Sequence, residues 1–394
     1  MKFRKITAPK IFDGRKFLPD NSVLILTERG TIKEIVDRSI AADDVEAVEG
    51  IIVPGFVNTH CHLELSNLKA TIPEHCGMAD FLRSVINKRS SGRLEEAMHE
   101  ADSEMHRNGI VAVGDICNTS VSAGLKSESL IYYRNFIEVL GMDAAVAEQR
   151  FASAQIVAED FARNVEDRTP SRCSIVPHSA YSVSDRLLNI IAENSDGNIV
   201  SIHNQESRDE DAFIRTGDGP FLELFHSLSI STSHVRARYM SPLEYTLPVF
   251  RTVRHMILVH NVTTDLHDIE FAGSLLPHTE LFWCLCPNAN LYITGDLPDV
   301  PLLKSMNQTI VLGTDSLASN HQLDMLSEMR TILNNFPSLS FTEVLQWATV
   351  NGARALGIED NYGSIDLNKK PGLVAISNTD GKQLNNDSVA RRIL

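Results

Sequence analysis

The chain has 394 residues, 43% hydrophobic and 22% charged, which is ordinary for a folded protein in water and enough for one large core or two domains. Lys plus Arg is 36 against 51 for Asp plus Glu, and the resulting net charge of −15 argues against a broad phosphate-binding surface and hence a nucleic-acid partner. The early positive charge of MKFRKITAPKIFDG meets polar residues before a signal-type apolar core forms, and no later stretch is long enough to cross a membrane. We therefore expect a cytoplasmic protein without a membrane partner.

Residues 1 to 52 read as short strands, KITAP, SVLILTE, TIKEIVD and EGIIVPG, with a turn at Gly30. This β unit is too small to stand alone. Eight apolar strand candidates follow: IIVPGFVNTH (51–60), GIVAVGDIC (109–117), IYYRNFIEVL (131–140), CSIVPHS (173–179), NIVSIHN (198–204), MILVHN (256–261), LFWCLC (281–286) and TIVLGTDS (309–316). Most precede segments of helical period, such as DRLLNIIAENS and LDMLSEMRTIL, so the α/β class and an eight-fold (β/α)8 TIM-type barrel are expected. The competing architecture is an open α/β sheet. Its nucleotide-binding form would carry an early G-x-G-x-x-G turn, and the chain has none. The tail GSIDLNKKPGLVAISNTD returns to strand and turn character and is expected to pair with the N-terminal strands. The domain plan is thus 1–52 with 363–394 as a β-sandwich, and 53–362 as the barrel. The long intervals 63–108 and 204–255 should hold extra helices or substrate-covering loops. Six scattered cysteines are expected to be reduced, and the sulfurs of Cys284 and Cys286, the only close pair, to diverge, which argues against a two-thiolate metal site.

Histidine placement carries the chemistry. His60 and His62 form H-x-H at a strand end, where a period of two sets both imidazoles on one face, a usable half of a metal site. His203, His260 and Asp315 each stand at the C-terminal end of another strand candidate, where barrel active sites are assembled. His60, His62, His203 and Asp315 are therefore read as ligands of one divalent metal, with a position left for water whose pKa the metal lowers. Glu206, in H-N-Q-E, is placed to take that water's proton. His260 either hydrogen-bonds the attacking oxygen or is a fifth ligand. His178 faces the same mouth and is read as a substrate contact. Glu64, Ser66 and Trp283 are further candidates for substrate binding, Tyr292 for stacking on a ring, and Glu138 for orienting a neighbour. Arg208, Arg215, Arg236 and Arg238 could receive a substrate carboxylate. The chain has no G-x-S-x-G, P-loop, H-E-x-x-H or H-x-E with P-C-x-x-C pattern.

The ordered set PGFVNTHCHLELS, VPHSAYSVS, SIHNQES, LVHN, CPNANLYITG and LGTDSLASN resembles the metal-dependent amidohydrolase superfamily. It is most similar to the branch of cytosine and guanine deaminases, chlorohydrolases and methylthioadenosine or S-adenosylhomocysteine deaminases. Within that branch, THCHLELS and GTDSLASN look most like the aminodeoxyfutalosine deaminase type. The resemblance covers nearly the whole chain. It implies a barrel with one Zn2+ or, as the alternative, Fe2+. It also implies ligands His60, His62, His203 and Asp315, a proton shuttle at Glu206, a catalytic histidine at His260, a nucleoside contact at His178 and a role for Asp315 in steadying the reacting centre. The absence of a lysine near Ser174 to His178 departs from the binuclear branches. The implied reaction is hydrolytic release of ammonia from a nucleoside or related heterocycle. Alternatives are dechlorination, cyclic amide or amidine hydrolysis, or a non-enzymatic metal-binding protein. A homodimer is the common assembly for soluble enzymes.

Overall fold

The computed structural model describes residues 3–164, 173–232 and 235–394. Six strands open the chain: β1 (Phe3–Thr7), β2 (Lys10–Ile11), β3 (Ser22–Thr27), β4 (Ile32–Asp37), β5 (Glu46–Ala47) and β6 (Ile51–Pro54). The β-branched and apolar run SVLILT makes β3 an inner strand, antiparallel to both β1 and β4, and β5 adds parallel to β1.

Eight parallel strands form the barrel: β7 (Phe56–Cys61), β8 (Ile110–Cys117), β9 (Tyr132–Val139), β10 (Cys173–Pro177), β11 (Ile199–Asn204), β12 (His255–His260), β13 (Glu280–Leu285) and β14 (Thr309–Leu312). They run as two four-stranded sheets, β7 to β10 and β11 to β14, each in sequence order. Parallel bridges at Ser179–His203 and Cys61–Asp315 close the two seams. At the first seam His203 N–H donates to the His178 carbonyl at 2.9 Å, and at the second Thr314 N–H donates to the His60 carbonyl at 3.0 Å. Both closures therefore pass through the strand ends that the sequence marked.

The run IIVPGFVNTH, expected as one strand, is two. Gly55 separates β6 from β7, and a side chain there would meet Val111 Cγ1 at 2.2 Å, so the chain crosses between layers where only glycine fits. The β6 half pairs antiparallel with β15 (Leu373–Ser377), which in turn pairs with β16 (Val389–Arg392), and β2 adds on the far side of β6. Ile6, Leu24, Leu26, Ile52 and Leu373 fill the space between the two sheets of this sandwich, which both chain ends build. Burying each such side chain contributes roughly 1.5–3 kcal/mol.

Within the barrel wall, Phe282, Cys284 and Cys286 share one buried cluster with Val57, Phe136 and Val311, while Trp283 and Leu285 pack into another. This corrects the expectation that the two cysteine sulfurs diverge, because residues two apart along a strand share a face. Neither joins a metal-holding group among the described residues, and none of the six cysteines forms a disulfide with another described residue.

The long intervals fold into helices. Met78–Lys88 and Leu94–Arg107 lie in the first; Arg208–Thr216, Pro220–Ser227 and Pro242–Thr246 lie in the second. Ser207 caps Arg208–Thr216 by accepting from Glu210 N–H, three acids occupy its first turn, and Gly217 ends it at φ 72°. Ser184 likewise caps Asp185–Glu193 by accepting from Leu187 N–H. Among the described residues, no helix is long and apolar enough to cross a membrane.

Candidate active site

Period two along FVNTHC delivers His60 near the end of β7, and His62 follows one residue past the strand. His62 Nε2 lies 3.1 Å from His60 Nε2 and 3.1 Å from His203 Nε2, and Asp315 Oδ1 lies 3.4 and 3.6 Å from the Nε2 atoms of His62 and His60. His260, the last residue of β12, joins His60 and Asp315 in the same group of buried donors. Gln205, His260 and Asp315 adopt left-handed backbone angles of 49°, 78° and 56°. Such conformations are costly for residues with side chains, and here they turn successive strand ends back over the barrel axis.

Burial disfavours protonated imidazole. It drives His62 and His178 down to about 3, His260 to about 4 and His203 well below its ordinary value. Burial works against Asp315, yet the hydrogen bond from His60 and the neighbouring imidazoles hold its carboxyl below the usual range. The result is a set of neutral ring nitrogens facing an ionised carboxylate. Three nitrogens converging at 3.1 Å cannot all be satisfied by protons among themselves, whereas one cation between them satisfies all three. Imidazole and carboxylate donors suit Zn2+ or Fe2+, so the residues present fit a divalent-metal site.

Polar neighbours surround this group. Tyr181 donates its hydroxyl to Glu206 Oε1 at 2.6 Å, while Glu206 Oε2 stands 3.9 Å from His260 Nε2. Burial pushes the Glu206 carboxyl up to about 8, with the Tyr181 hydrogen bond opposing and the Asp315 charge adding to it. The Glu206 N–H donates to buried Glu210 at 2.7 Å, fixing the turn after β11. His178 Nδ1 is shared between the Ser179 and Ser182 hydroxyls at 2.9 and 2.8 Å. Asn290 Nδ2 lies 3.3 Å from His260 Nδ1.

Above lies a cavity of about 400 Å³. His62, His178, His203, Glu206, His260 and Asp315 form its polar floor; Leu65, Phe81, Val85, Met142, Leu224 and Phe225 contribute to its apolar walls. Arg89 and Arg150 also line it. Three of the large apolar side chains left exposed on the surface, Ile86, Leu140 and Ile230, lie on its rim.

Several candidates are placed elsewhere. Glu64 accepts the backbone N–H groups of Asn118 and Thr119 at 3.3 and 3.2 Å, and Ser66 donates to the Leu63 carbonyl at 2.7 Å; both are engaged in holding the turn after His62 and do not line the cavity. Trp283 is fully buried on the other face of β13, donating to Gln308 at 2.9 Å, and Tyr292 donates to the Ile72 carbonyl at 2.6 Å. Alternation along the strand turns Trp283 away from the axis. Arg208, Arg215 and Arg238 pair with Asp296, Asp211 and Asp185, and Arg236 borders a second cavity, so none of the four lines the first. Sequence reasoning missed Tyr181, Asn290, Arg89 and Arg150. Tyr181 and Asn290 lie inside the motifs HSAYS and CPNAN, which was a usable signal, whereas Arg89 sits in the polar run NKRSSGR and resembles any solvated cation.

The model of the amidohydrolase family matches residues 51–391. An adenosine deaminase of Helicobacter pylori is 28% identical over 330 residues, covering 82% of this chain and 78% of the relative. An aminodeoxyfutalosine deaminase of Nitratiruptor sp. is 28% identical over 395 residues, covering 96% and 91%. Among solved structures, Helicobacter pylori aminofutalosine deaminase superposes with a TM-score of 0.84 at 21% identity, covering all of this chain and 98% of the other.

Proposed function

The chain belongs to the amidohydrolase family, and from that footing we propose that it hydrolytically deaminates a purine-nucleoside-like substrate, with aminodeoxyfutalosine as the substrate it is built for. The observation that carries the reaction is Glu206: a buried carboxylate, aimed by Tyr181, beside His260 and the His–Asp group at the floor of a closed-ended cavity. His60, His62, His203 and Asp315 would hold one divalent ion, Zn2+ by preference and Fe2+ as the alternative, whose Lewis acidity makes water a competent nucleophile near neutral pH.

Glu206 takes a proton from the attacking water and gives it to the purine ring nitrogen; it then carries the proton of the new C–OH group to the amine, which leaves as ammonia as the carbonyl forms. The upward displacement of its pKa suits a group that must both accept and donate near neutrality. With Asn290 donating into Nδ1, His260 carries its proton on Nε2 and acts as a donor to the oxygen that develops on the attacked carbon. His178, held by two serine hydroxyls, presents its remaining nitrogen to the nucleoside portion.

The walls support the choice of substrate. An apolar chamber with Arg89 and Arg150 suits a nucleoside extended by an apolar, anion-tipped arm, since guanidinium pairs strongly with carboxylate. The likeness to the Nitratiruptor enzyme across nearly both full lengths supports the same reading. The acidic charge and the six cysteines, none in a disulfide among the described residues, accord with a cytoplasmic enzyme. Glu206→Gln tests the assignment: it should retain metal and fold while kcat falls by about 10²- to 10⁴-fold. Near wild-type ammonia release from a metal-replete Glu206→Gln protein would remove Glu206 from the reaction.

A further inference from the structure

Glu138 lies one residue before the end of β9, with its side chain 4% exposed. Its Oε2 accepts from Asn118 Nδ2 at 2.9 Å, and Asn118 Oδ1 in turn lies 3.4 Å from Arg89 Nη2. The backbone N–H of Asn118 is itself held by Glu64, so this side of the carboxylate is fixed. Its other oxygen, Oε1, is sealed from solvent and makes no hydrogen bond among the described residues, yet stands 3.4 Å from His203 Nδ1.

That nitrogen lies 3.0 Å from the His178 carbonyl. A carbonyl only accepts, so Nδ1 carries the proton and the lone pair of His203 resides on Nε2, which faces His62 Nε2. A buried carboxylate oxygen with no donor is costly on its own. It becomes favourable when the adjacent ring acquires positive character, as an imidazole does when its other nitrogen ligates a cation. The same protonation argues against Glu138, His178 and His203 forming a second cation site, because Nδ1 has no lone pair to offer, although the three donors cluster closely enough.

We propose that Glu138, held by Asn118, is a positioning residue for His203: it locks the tautomer and ring orientation and raises the basicity of Nε2. This rests on the metal-site reading given above. The Asn118 link also joins Arg89 at the cavity wall to a metal-binding histidine through two side chains.

The test is Co2+ titration of the metal-stripped full chain, read by visible absorption, for wild type, Glu138→Gln, Glu138→Asp and Asn118→Ala. The glutamine variant should still bind one Co2+ per chain, with affinity about 10–100-fold weaker, an altered ligand-field spectrum, and a loss carried by kcat with KM nearly unchanged. Glu138→Asp, which keeps the charge, should recover part of the affinity, and Asn118→Ala should shift it in the same direction as glutamine but less. If the glutamine variant does not fold, the aspartate and Asn118 variants give the same comparison. Unchanged affinity and spectrum across the variants would overturn the inference, as would a wild type that binds two Co2+ and a glutamine variant that binds one. A wild type that binds no Co2+ would instead overturn the metal-site reading itself.

Discussion

Glu328 lies outside the cavity, yet it ties two of the loops that build the floor. Its carboxylate accepts from Asn288 N–H at 3.0 Å and Asn320 Nδ2 at 2.8 Å; Asn320 also donates to the Thr314 carbonyl beside Asp315, and Asn288 opens the helix that carries Asn290. Burial pushes its pKa up to about 8 from an ordinary 4.5, with the two hydrogen bonds opposing. The folded state therefore holds this proton after the unfolded chain has lost it. Stability from this group is fully present below pH 4.5, declines as pH rises from about 4.5 to 8, and is lost above. The slope is at most about 1.4 kcal/mol per pH unit. Denaturant titrations across that window should show Glu328→Gln with a flatter pH dependence than wild type; parallel curves would refute the assignment.

At this same scale, what the sequence made legible were side chains whose position along a strand dictates their direction. His60, His62, His203, His260 and Asp315 converge because parallel strands of one barrel end on one face. Glu64, Ser66 and Trp283 carried the right chemistry but not the right direction. Arg208 and Arg238 pair with acids far along the chain that no local pattern reveals, whereas the Arg215 pair with Asp211, four residues earlier on the same helix, was legible.

Elements also meet closely where the chain leaves β14 beside β7. A side chain on Gly313 would come within 2.8 Å of His60 Cβ and 2.9 Å of its carbonyl oxygen, so the closure of the barrel and the placement of His60 are one constraint. Gly313→Ala should leave most secondary structure intact, because the clash is local, while displacing His60. We expect bound metal per chain to fall and kcat/KM to drop by about 100-fold, in keeping with the cost of ångström-scale misplacement; elemental analysis beside far-UV circular dichroism checks both. Full metal occupancy with normal turnover would show that the strands can part without cost. The barrel strands were legible as apolar runs to within a few residues. The break at Gly55 was not, because β6 and β7 are buried along their whole lengths and periodicity has no contrast to mark a boundary between two fully buried strands.

On the scale of the molecule, the sandwich depends on pairing between β6 and β15, residues more than 300 positions apart, which composition at each end suggested but no local signal could register. Likewise the two long intervals announced extra helices without showing that Met78–Lys88 and Pro220–Ser227 together wall one chamber with Arg89 and Arg150. The most direct measurement is ammonia release by the metal-loaded protein from aminodeoxyfutalosine, methylthioadenosine, S-adenosylhomocysteine, adenosine and guanine in parallel. We predict turnover of aminodeoxyfutalosine with kcat/KM at least about tenfold above the others, a margin within reach of a few pocket contacts. Silence from every aminopurine nucleoside, with one metal ion bound per chain, would contradict the account.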